Sequence, residues 1–184
     1  MKKLLSSERI KAKALRLGFS ACGLAPAEAV DETVATAFRQ WLADGCQAEM
    51  AYMQNYEDKR LDPRLLVEGA RTVISVALNY YPATKIPENE YQIAWYAYGK
   101  DYHDVMKGKL KELFEFIEKE VSFSKETDST IASTNNIGTY TENYASAPQA
   151  PVSQTSASPL QGRIFCDTAP ILERYWAWRT GLGW

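Results

Sequence analysis

The sequence predicts an α/β fold, with α+β as the alternative, in which helices flank a mixed sheet. Residues 72–81 are β-branched and almost uncharged, which favours a central strand buried on both faces. Segments with an apolar helical face lie before and after it. Residues 163–184 have the pattern of a strand, a turn and a helix. Strands alternating with amphipathic helices are typical of this class.

The composition is that of a single globular domain spanning 1–184. Of the 184 residues, 46% are hydrophobic and 24% charged, and the formal net charge is −2. This balance does not indicate a nucleic-acid-binding or anionic-membrane-binding surface. No apolar run suits a signal peptide or approaches the roughly 20 residues of a membrane-spanning helix. We therefore expect a cytoplasmic protein without a membrane partner.

Three elements are predicted in the first part of the chain. Ser6 or Ser7 begins a helix that Gly18 ends. Residues 19–25 form a short strand, and a second amphipathic helix follows and stops before Gly45.

The connection after the second helix carries Met50, Tyr52 and Met53. Such residues suit a soft surface against a large flat cofactor, but they are also common as core filler. Both interpretations remain open from the sequence. Arg60, shortly afterwards, has the character of an ordinary solvated surface residue.

The cysteines Cys22, Cys46 and Cys166 are widely spaced. Their spacing fits neither a disulfide framework nor a CxxC metal or iron–sulfur motif. Each is predicted to be a small buried hydrophobe, and no metal site is predicted.

An aromatic segment leads into the longest predicted helix. Residues 91–98 are strand-like and run into 99–103, which contain the chain's single histidine, His103. Apolar residues then recur with helical spacing at Met106, Leu110, Leu113 and Ile117. A helix start after a glycine suits an anionic group, but an ordinary capped helix with an incidental histidine explains the same pattern.

Residues 122–161 change sharply to Ser, Thr, Asn, Ala, Pro and Gln. Such a segment buries too little apolar surface to offset the entropy of ordering. It is predicted to be a disordered insertion.

Asp167 is the candidate catalytic residue. Residues 163–166 are predicted to form a strand, and Asp167 with Thr168 would then cap a helix that has Pro170 in its first turn and ends at Gly181. A carboxylate at the carboxyl end of a strand is a candidate acid or base. The alternative is an N-cap that only satisfies helix amides.

Four segments together resemble the amino-terminal domain of epoxyqueuosine reductases. They are WLADGCQAEMAYM, DKRLDPRLLVEGARTVISVALNYYP, AWYAYGKDYHDVMKGKL and RIFCDTAPILERYWAWRTGLGW. The resemblance covers roughly residues 1–121 and 162–184. It implies a cobalamin-dependent, iron–sulfur enzyme that reduces epoxyqueuosine to queuosine in tRNA. It also implies a domain similar to the cobalamin domains of reductive dehalogenases and of flavin-reductase-like cobalamin processing proteins.

The resemblance assigns roles to particular residues. Asp167 matches the family's proton donor, a role that requires a carboxyl group protonated near neutral pH. His103 is expected to form hydrogen bonds rather than bind cobalt, because the family holds cobalamin base-off. The positions expected to line the cofactor are Arg60, Ala94, Lys100, Asp101, Tyr102, His103, Thr168, Gly181 and Gly183.

The family continues beyond this chain with two sets of CxxCxxCxxxCP cysteines for [4Fe–4S] clusters. We therefore expect a monomeric chain that is inactive in isolation and meets tRNA through the longer protein. A non-catalytic cobalamin carrier is the main alternative. Weaker alternatives are a truncated product that does not fold stably and a flavin-binding reductase.

Overall fold

The computed structural model describes residues 5–134 and 160–183. No helix in these two ranges is both long enough and apolar enough to cross a membrane. The helices and strands are, in chain order, α1 (Ser7–Arg16), β1 (Ala21–Pro26), α2 (Glu32–Ala43), α3 (Glu57–Leu61), β2 (Thr72–Ala77), α4 (Tyr102–Thr134) and α5 (Glu173–Arg179). Short 3-10 helices occupy Ala51–Gln54, Pro63–Leu65 and Trp95–Ala97.

The two strands form an antiparallel pair with Ala21 opposite Ala77. Alternate side chains of the pair enter different cores, as the strand period of two requires. Ala25 and Val73 face a core with α2, α3 and α5. Leu24 and Ile74 face a core with α1 and α4. Helices therefore cover both faces of a small sheet, as predicted, and the sheet of the described residues is antiparallel rather than mixed.

The first core is centred on Trp176, which is 2% exposed. Its other buried members are Ala25, Val30, Ala35, Leu61 and Tyr175. Because Tyr175 and Trp176 are adjacent on α5, this core holds the C-terminal helix against the sheet and α2. Tyr175 and Trp176 thus form the packing face of α5.

The second core joins α1 to α4 through Ile10, Ala14, Phe19, Leu113 and Ile117. Arg9 strengthens the contact by donating a 2.7 Å hydrogen bond to Glu120. The Ser6 side chain caps α1, and Gly18 (φ +88°) follows its end. The predictions for this helix and for α2 are therefore confirmed.

Residues 72–81 are not the predicted central strand. β2 ends at Ala77, its residues are at most partly buried, and it pairs only with β1 in the part of the chain described. Asn79 is responsible for the early end, because its side chain accepts a 2.9 Å hydrogen bond from the Tyr81 amide and turns the chain. Tyr80 and Tyr81 are consequently exposed.

The strand predicted over 91–98 is also wrong, since this segment is a loop with one 3-10 turn. Its rings pack on other aromatic side chains instead of joining a sheet. Trp95 meets Tyr81 edge-on at 5.0 Å between ring centroids, and Tyr96 meets Tyr102 at 6.0 Å. High β-propensity reflects packing on a pleated surface and does not by itself create a strand.

In the C-terminal stretch, residues 163–166 do not form the predicted strand. Arg163 donates to the Leu66 carbonyl and its guanidinium lies over the Phe165 ring, so side-chain contacts hold this segment in place of a strand ladder. Helix α5 begins at Glu173, and no side chain caps it. The predicted N-cap role of Asp167 and Thr168, with Pro170 in the first turn, is therefore wrong.

Helix α4 continues to Thr134. The prediction of a structureless segment beginning at 122 is thus wrong for 122–134. No glycine or proline interrupts the sequence between Gly108 and Gly138, so nothing local stops the helix. The rest of the predicted insertion, 135–159, lies outside the described residues.

The cysteine prediction holds in part. Cys166 is buried, but Cys22 is only partly buried and Cys46 is exposed. Cys46 follows the end of α2 at the surface, where no core is available to cover it.

Gly23 lets the end of α5 approach the sheet. A Cβ at this position would overlap the carbonyl oxygen of Thr180 and lie 2.8 Å from its Cβ. The backbone at the end of α5 therefore rests directly on β1, which fixes the position of the C-terminal segment.

Gly23→Ala should lower the free energy of unfolding by about 1–3 kcal/mol, because the added methyl group forces backbone apart. Urea denaturation of the purified chain measures this. Gly108→Ala is the matched control, because it meets open space inside α4 and should stabilise the chain by up to about 1 kcal/mol. Equal stability of Gly23→Ala and the parent would contradict the close approach.

Candidate functional site

Asp167 occupies a strained turn between α4 and α5. Its φ of +54° is in the left-handed region, which residues with a side chain seldom adopt. The Tyr102 hydroxyl donates a 2.6 Å hydrogen bond to Asp167 Oδ2. The carboxylate is thus held by another helix, and the predicted alternative of a simple helix N-cap is wrong.

The start of α4 supplies the neighbours of this carboxylate. Asp101 accepts a 2.8 Å hydrogen bond from the His103 amide, and His103 Nδ1 lies 2.9 Å from the same oxygen. His103 Nε2 faces Asp167 Oδ2 at 3.9 Å. Asp101 therefore caps the helix, as one interpretation predicted, and also orients the imidazole toward Asp167, so the histidine is not incidental.

Glu173 approaches Asp167 from the other side. Its Oε1 accepts a 3.0 Å hydrogen bond from the Asp167 amide. The first residue of α5 therefore fixes the backbone of the turn, while Tyr102 fixes its side chain. Each of the two acids therefore affects the pKa of the other.

These contacts shift the pKa values of Asp167 and Glu173 in opposite directions. The Tyr102 hydrogen bond lowers the pKa of Asp167, helped by Glu173 and by the charge of His103. Desolvation raises the pKa of Glu173; the hydrogen bond from the Asp167 amide lowers it, and the Asp167 carboxyl group raises it. The hydrogen bond to Asp167 raises the pKa of Tyr102 to about 12. With these neighbours Asp167, whose side chain is 51% exposed, is ionised at neutral pH, contrary to the expectation of a protonated acid.

Cys166 precedes Asp167 and is buried. Burial raises the pKa of its thiol, and the charges of Asp167 and Glu173 raise it further. The thiol form is unreactive as a nucleophile.

Asp167 also borders an open groove of about 890 Å³ between α2, the loop before α3 and the segment leading into α5. Phe38 and Trp41 stack in this groove at 6.2 Å with an interplanar angle of 16°. The other lining residues are Val34, Ala37, Tyr52, Met53, Asn55, Tyr56, Arg60 and the residues from Asp167 to Tyr175. Tyr52 is 59% exposed, so the core-filler interpretation is wrong for it and the soft-surface interpretation is favoured.

Arg60 is buried on the groove wall, at 7% exposure, and is not a solvated surface residue. Its guanidinium donates to the backbone carbonyls of Tyr52 (3.0 Å) and Asn55 (3.2 Å). Burial lowers its pKa. Arg60 therefore holds the loop whose side chains form this wall.

The predicted site residues fall into four groups. Asp101, Tyr102, His103 and Asp167 come together, and Arg60 and Thr168 lie on the groove that Asp167 borders. Ala94 and Lys100 are exposed in or next to the loop before α4. Gly181 and Gly183, with φ of +77° and +85°, follow α5. The residues that line the groove do not include these last four.

Sequence reasoning missed Glu173 and the ring surface of Phe38, Trp41 and Tyr56. Glu173 stands six residues after Asp167 in the segment DTAPILER. A second acid so close in the sequence could have indicated that it belongs to the same site. Nothing local marks the rings, which resemble core residues. In the part of the chain described, no group of three His, Cys, Asp or Glu side chains is placed to hold a metal ion.

Comparison with known proteins identifies the family. A family profile described as "Epoxyqueuosine reductase QueG, DUF1730" matches residues 60–131. The epoxyqueuosine reductase of Cellulophaga algicola is 42% identical over 178 residues, which are 97% of this chain and 46% of that protein. The chain thus spans about half the length of the curated relatives it matches.

The similarity to solved structures agrees with this family assignment. The epoxyqueuosine reductase of Streptococcus thermophilus superposes with a TM-score of 0.53 at 27% identity, over 61% of this chain and 31% of that one. An epoxyqueuosine reductase solved with an epoxyqueuosine-modified tRNA-Tyr stem loop gives a TM-score of 0.50 at 23% identity, over the same shares, and shows a common fold. This chain belongs to the epoxyqueuosine reductase family.

Tyr102→Phe should raise the pKa of Asp167 toward its ordinary value, because the hydroxyl is the main group lowering it. Carbon-13 NMR of labelled aspartate carboxyl groups measures this shift. Tyr91→Phe, at a ring that is 98% exposed, should leave Asp167 unchanged. An unchanged Asp167 pKa in Tyr102→Phe would contradict the hydrogen bond.

The hydrogen-bonded pair of Tyr102 and Asp167 also predicts that the stability of the fold depends on pH. A lowered Asp167 pKa contributes stability above the unfolded pKa of aspartate, which is lost as pH falls through the folded pKa. A raised Tyr102 pKa contributes stability below the unfolded pKa of tyrosine, which is lost as pH rises toward about 12. The stability difference between the parent and Tyr102→Phe should therefore be largest near neutral pH. A difference that stays constant across the whole range would contradict this prediction.

Proposed function

We propose that this chain is the cobalamin-binding part of an epoxyqueuosine reductase and that Asp167 is its proton donor. The observation that supports this most is the position of Asp167, at the edge of an open apolar groove and in contact with the Tyr102–His103 segment. Family membership supports the reaction, reduction of epoxyqueuosine in tRNA.

The groove fits a large flat cofactor with polar substituents. Its volume lies at the upper end of the range for small-molecule sites, roughly 300–1,000 Å³, and its opening leaves room for a ligand that extends beyond it. Phe38, Trp41 and Tyr52 offer ring surface to an apolar face. Asn55 and the backbone of the adjoining loop offer hydrogen-bonding groups. When bound, cobalamin supplies the reduced cobalt centre that works on the epoxide carbon.

Arg60 contributes by positioning the loop. Because it binds two carbonyls between α2 and α3, it fixes the wall that carries Tyr52 and Met53. A preformed wall reduces the entropy lost when a ligand binds. His103, oriented by Asp101, is the hydrogen-bonding group beside the acid.

Asp167 must carry a proton to act as a donor. It is ionised with its present neighbours, but covering it with a large apolar ring removes water from the carboxyl group and raises its pKa. Its exposed position leaves it free to be covered in this way. Covered in this way, Asp167 would become an acid suited to neutral pH.

The remaining parts of the activity are assigned to the longer protein. There, [4Fe–4S] clusters deliver electrons and tRNA carrying epoxyqueuosine is the substrate. The protein acts as a cytoplasmic monomer, and the chain alone is inactive in turnover. This chain covers 46% of the Cellulophaga algicola protein, which supports assigning these parts of the activity to the longer protein.

Arg60→Lys should weaken cob(II)alamin binding about tenfold, because one ammonium group replaces a guanidinium held by two carbonyls. Titration of the chain followed by the corrinoid absorption spectrum measures the affinity. Arg64→Lys, at an arginine paired with Asp62 on the surface, is the control and should bind like the parent. Equal affinity of both variants would count against the role of Arg60.

A non-catalytic cobalamin carrier is the alternative, and Asp167→Asn separates the two functions. The proposed function predicts cobalamin binding within a few-fold of the parent and a loss of at least about 100-fold in epoxide reduction by the full-length protein. Reduction is followed as conversion of epoxyqueuosine to queuosine in tRNA. Unchanged reduction by Asp167→Asn would exclude Asp167 as the donor, and cofactor binding without any reduction by the parent protein would favour the carrier.

A further inference from the structure

We propose that residues 80–98, the aromatic loop, form a stacking surface for the unpaired RNA bases next to the epoxyqueuosine nucleotide. This inference rests on the proposed function and extends it from the reacting base to the adjoining RNA. The loop carries exposed rings at Tyr80, Tyr81, Tyr91, Trp95 and Tyr96. A group of exposed apolar side chains of this kind usually marks a binding surface.

Two of these rings and one lysine form a compact unit. Tyr81 and Trp95 meet edge-on at 5.0 Å between ring centroids. Lys85 Nζ lies 4.9 Å from the Tyr81 centroid and 4.8 Å from that of Trp95. The two rings are 56% and 37% exposed, so part of each is open to solvent. Such a unit offers ring surface to a base and a positive charge to the phosphate beside it.

The aromatic loop is continuous with the candidate site. Tyr96, the neighbour of Trp95 in the chain, packs edge-on against Tyr102 at 6.0 Å between centroids. The Tyr102 hydroxyl in turn donates to Asp167 Oδ2 at 2.6 Å. An RNA whose modified base reaches Asp167 therefore brings its neighbouring nucleotides within reach of the aromatic loop.

Hydrogen bonds hold the aromatic loop in place. At its start, the Asn79 side chain accepts a 2.9 Å hydrogen bond from the Tyr81 amide. In its middle, the Gln92 side chain donates to the carbonyls of Pro87 (2.8 Å) and Glu90 (3.0 Å). A surface that is fixed in advance loses less conformational entropy on binding than a mobile loop does.

The chemistry of the proposed substrate favours RNA as the occupant of this surface. An enzyme that acts on a base takes that base out of the stack, which leaves the adjoining bases without a stacking neighbour. Aromatic side chains replace this contact for any base, because every base has a π-face. The loop carries Lys85 against Glu88 and Glu90, so stacking rather than phosphate attraction supplies most of the affinity here.

The first test measures the Kd of the full-length protein for a labelled tRNA-Tyr stem loop carrying epoxyqueuosine, by fluorescence anisotropy. One solved relative was crystallised with such an RNA. Trp95→Leu keeps an apolar side chain but removes the π-face, and it should raise the Kd about tenfold. Trp95→Phe keeps a ring and should bind nearly as well as the parent. Trp178→Leu, at an exposed tryptophan on α5, is the control and should not change the Kd.

An equal Kd for Trp95→Leu and the parent would refute the stacking surface alone and leave the proposed function standing. A parent protein that does not bind the modified stem loop would refute the proposed function, and this inference with it. Equal losses in Trp95→Phe and Trp95→Leu, with a lowered melting temperature in both, would assign the loop to packing against the rest of the longer protein. That result would also overturn the proposal.

The second test changes the RNA instead of the protein. The nucleotides on either side of epoxyqueuosine are made abasic, which removes the bases and keeps the phosphates. The roughly tenfold difference between Trp95→Leu and the parent should then disappear, because the ring has no base left to stack on. The same loss with the abasic RNA as with the intact RNA would overturn the proposal.

Lys85→Gln tests the phosphate contact separately. The slope of log Kd against log salt concentration should decrease by roughly 0.7, the value for one phosphate contact on a single strand. Lys59→Gln is the matched control, because Lys59 also lies over a single-ring surface, that of Tyr56, outside the aromatic loop. An unchanged slope in Lys85→Gln would contradict the assignment of Lys85 to the RNA backbone.

Discussion

The hydrogen bond from Tyr102 to Asp167 is the contact on which the candidate site depends. It joins the first residue of α4 to a turn 65 residues later in the chain, and it brings the imidazole of His103 and the carboxyl group of Glu173 to the same acid. The two hydrophobic cores make this contact possible. One seats α4 on α1, the other seats α5 on α2 and the sheet, and the small sheet between them sets their separation. The site is therefore formed where the start of α4 meets the segment that precedes α5.

The charges around Asp167 explain why its acid strength depends on what covers it. A tyrosine donor favours the Asp167 carboxylate, while desolvation raises the pKa of the adjacent Glu173. Such an arrangement favours the ionised form of Asp167 while it is exposed to water. The open groove beside it has apolar and aromatic walls, so a ligand bound there would reduce the hydration of the same carboxyl group.

Much of the fold and part of the site could be predicted from the sequence. Local signals located α1, α2 and the start of α4, because capping residues and apolar periodicity depend on near neighbours. The segment 163–166 and the aromatic segment 91–98 were predicted as strands because β-propensity cannot show whether a partner strand is available. The motif resemblance named Asp167, Tyr102 and His103, and the structure places these three side chains close to one another. It could not reveal that Asp167 adopts a left-handed backbone or that Glu173 binds its amide, since both follow from long-range packing.

The central claim is that Asp167 borders the cobalamin site, and pulsed electron paramagnetic resonance tests it most directly. In this experiment, cob(II)alamin is bound to the protein chain in which the aspartate residues are labelled with carbon-13. The account predicts a base-off signal that saturates at one cofactor per chain, with a carbon-13 coupling that disappears in Asp167→Asn. Saturable binding with the same coupling spectrum in the parent and in Asp167→Asn would contradict it, as would a folded chain that binds no cobalamin.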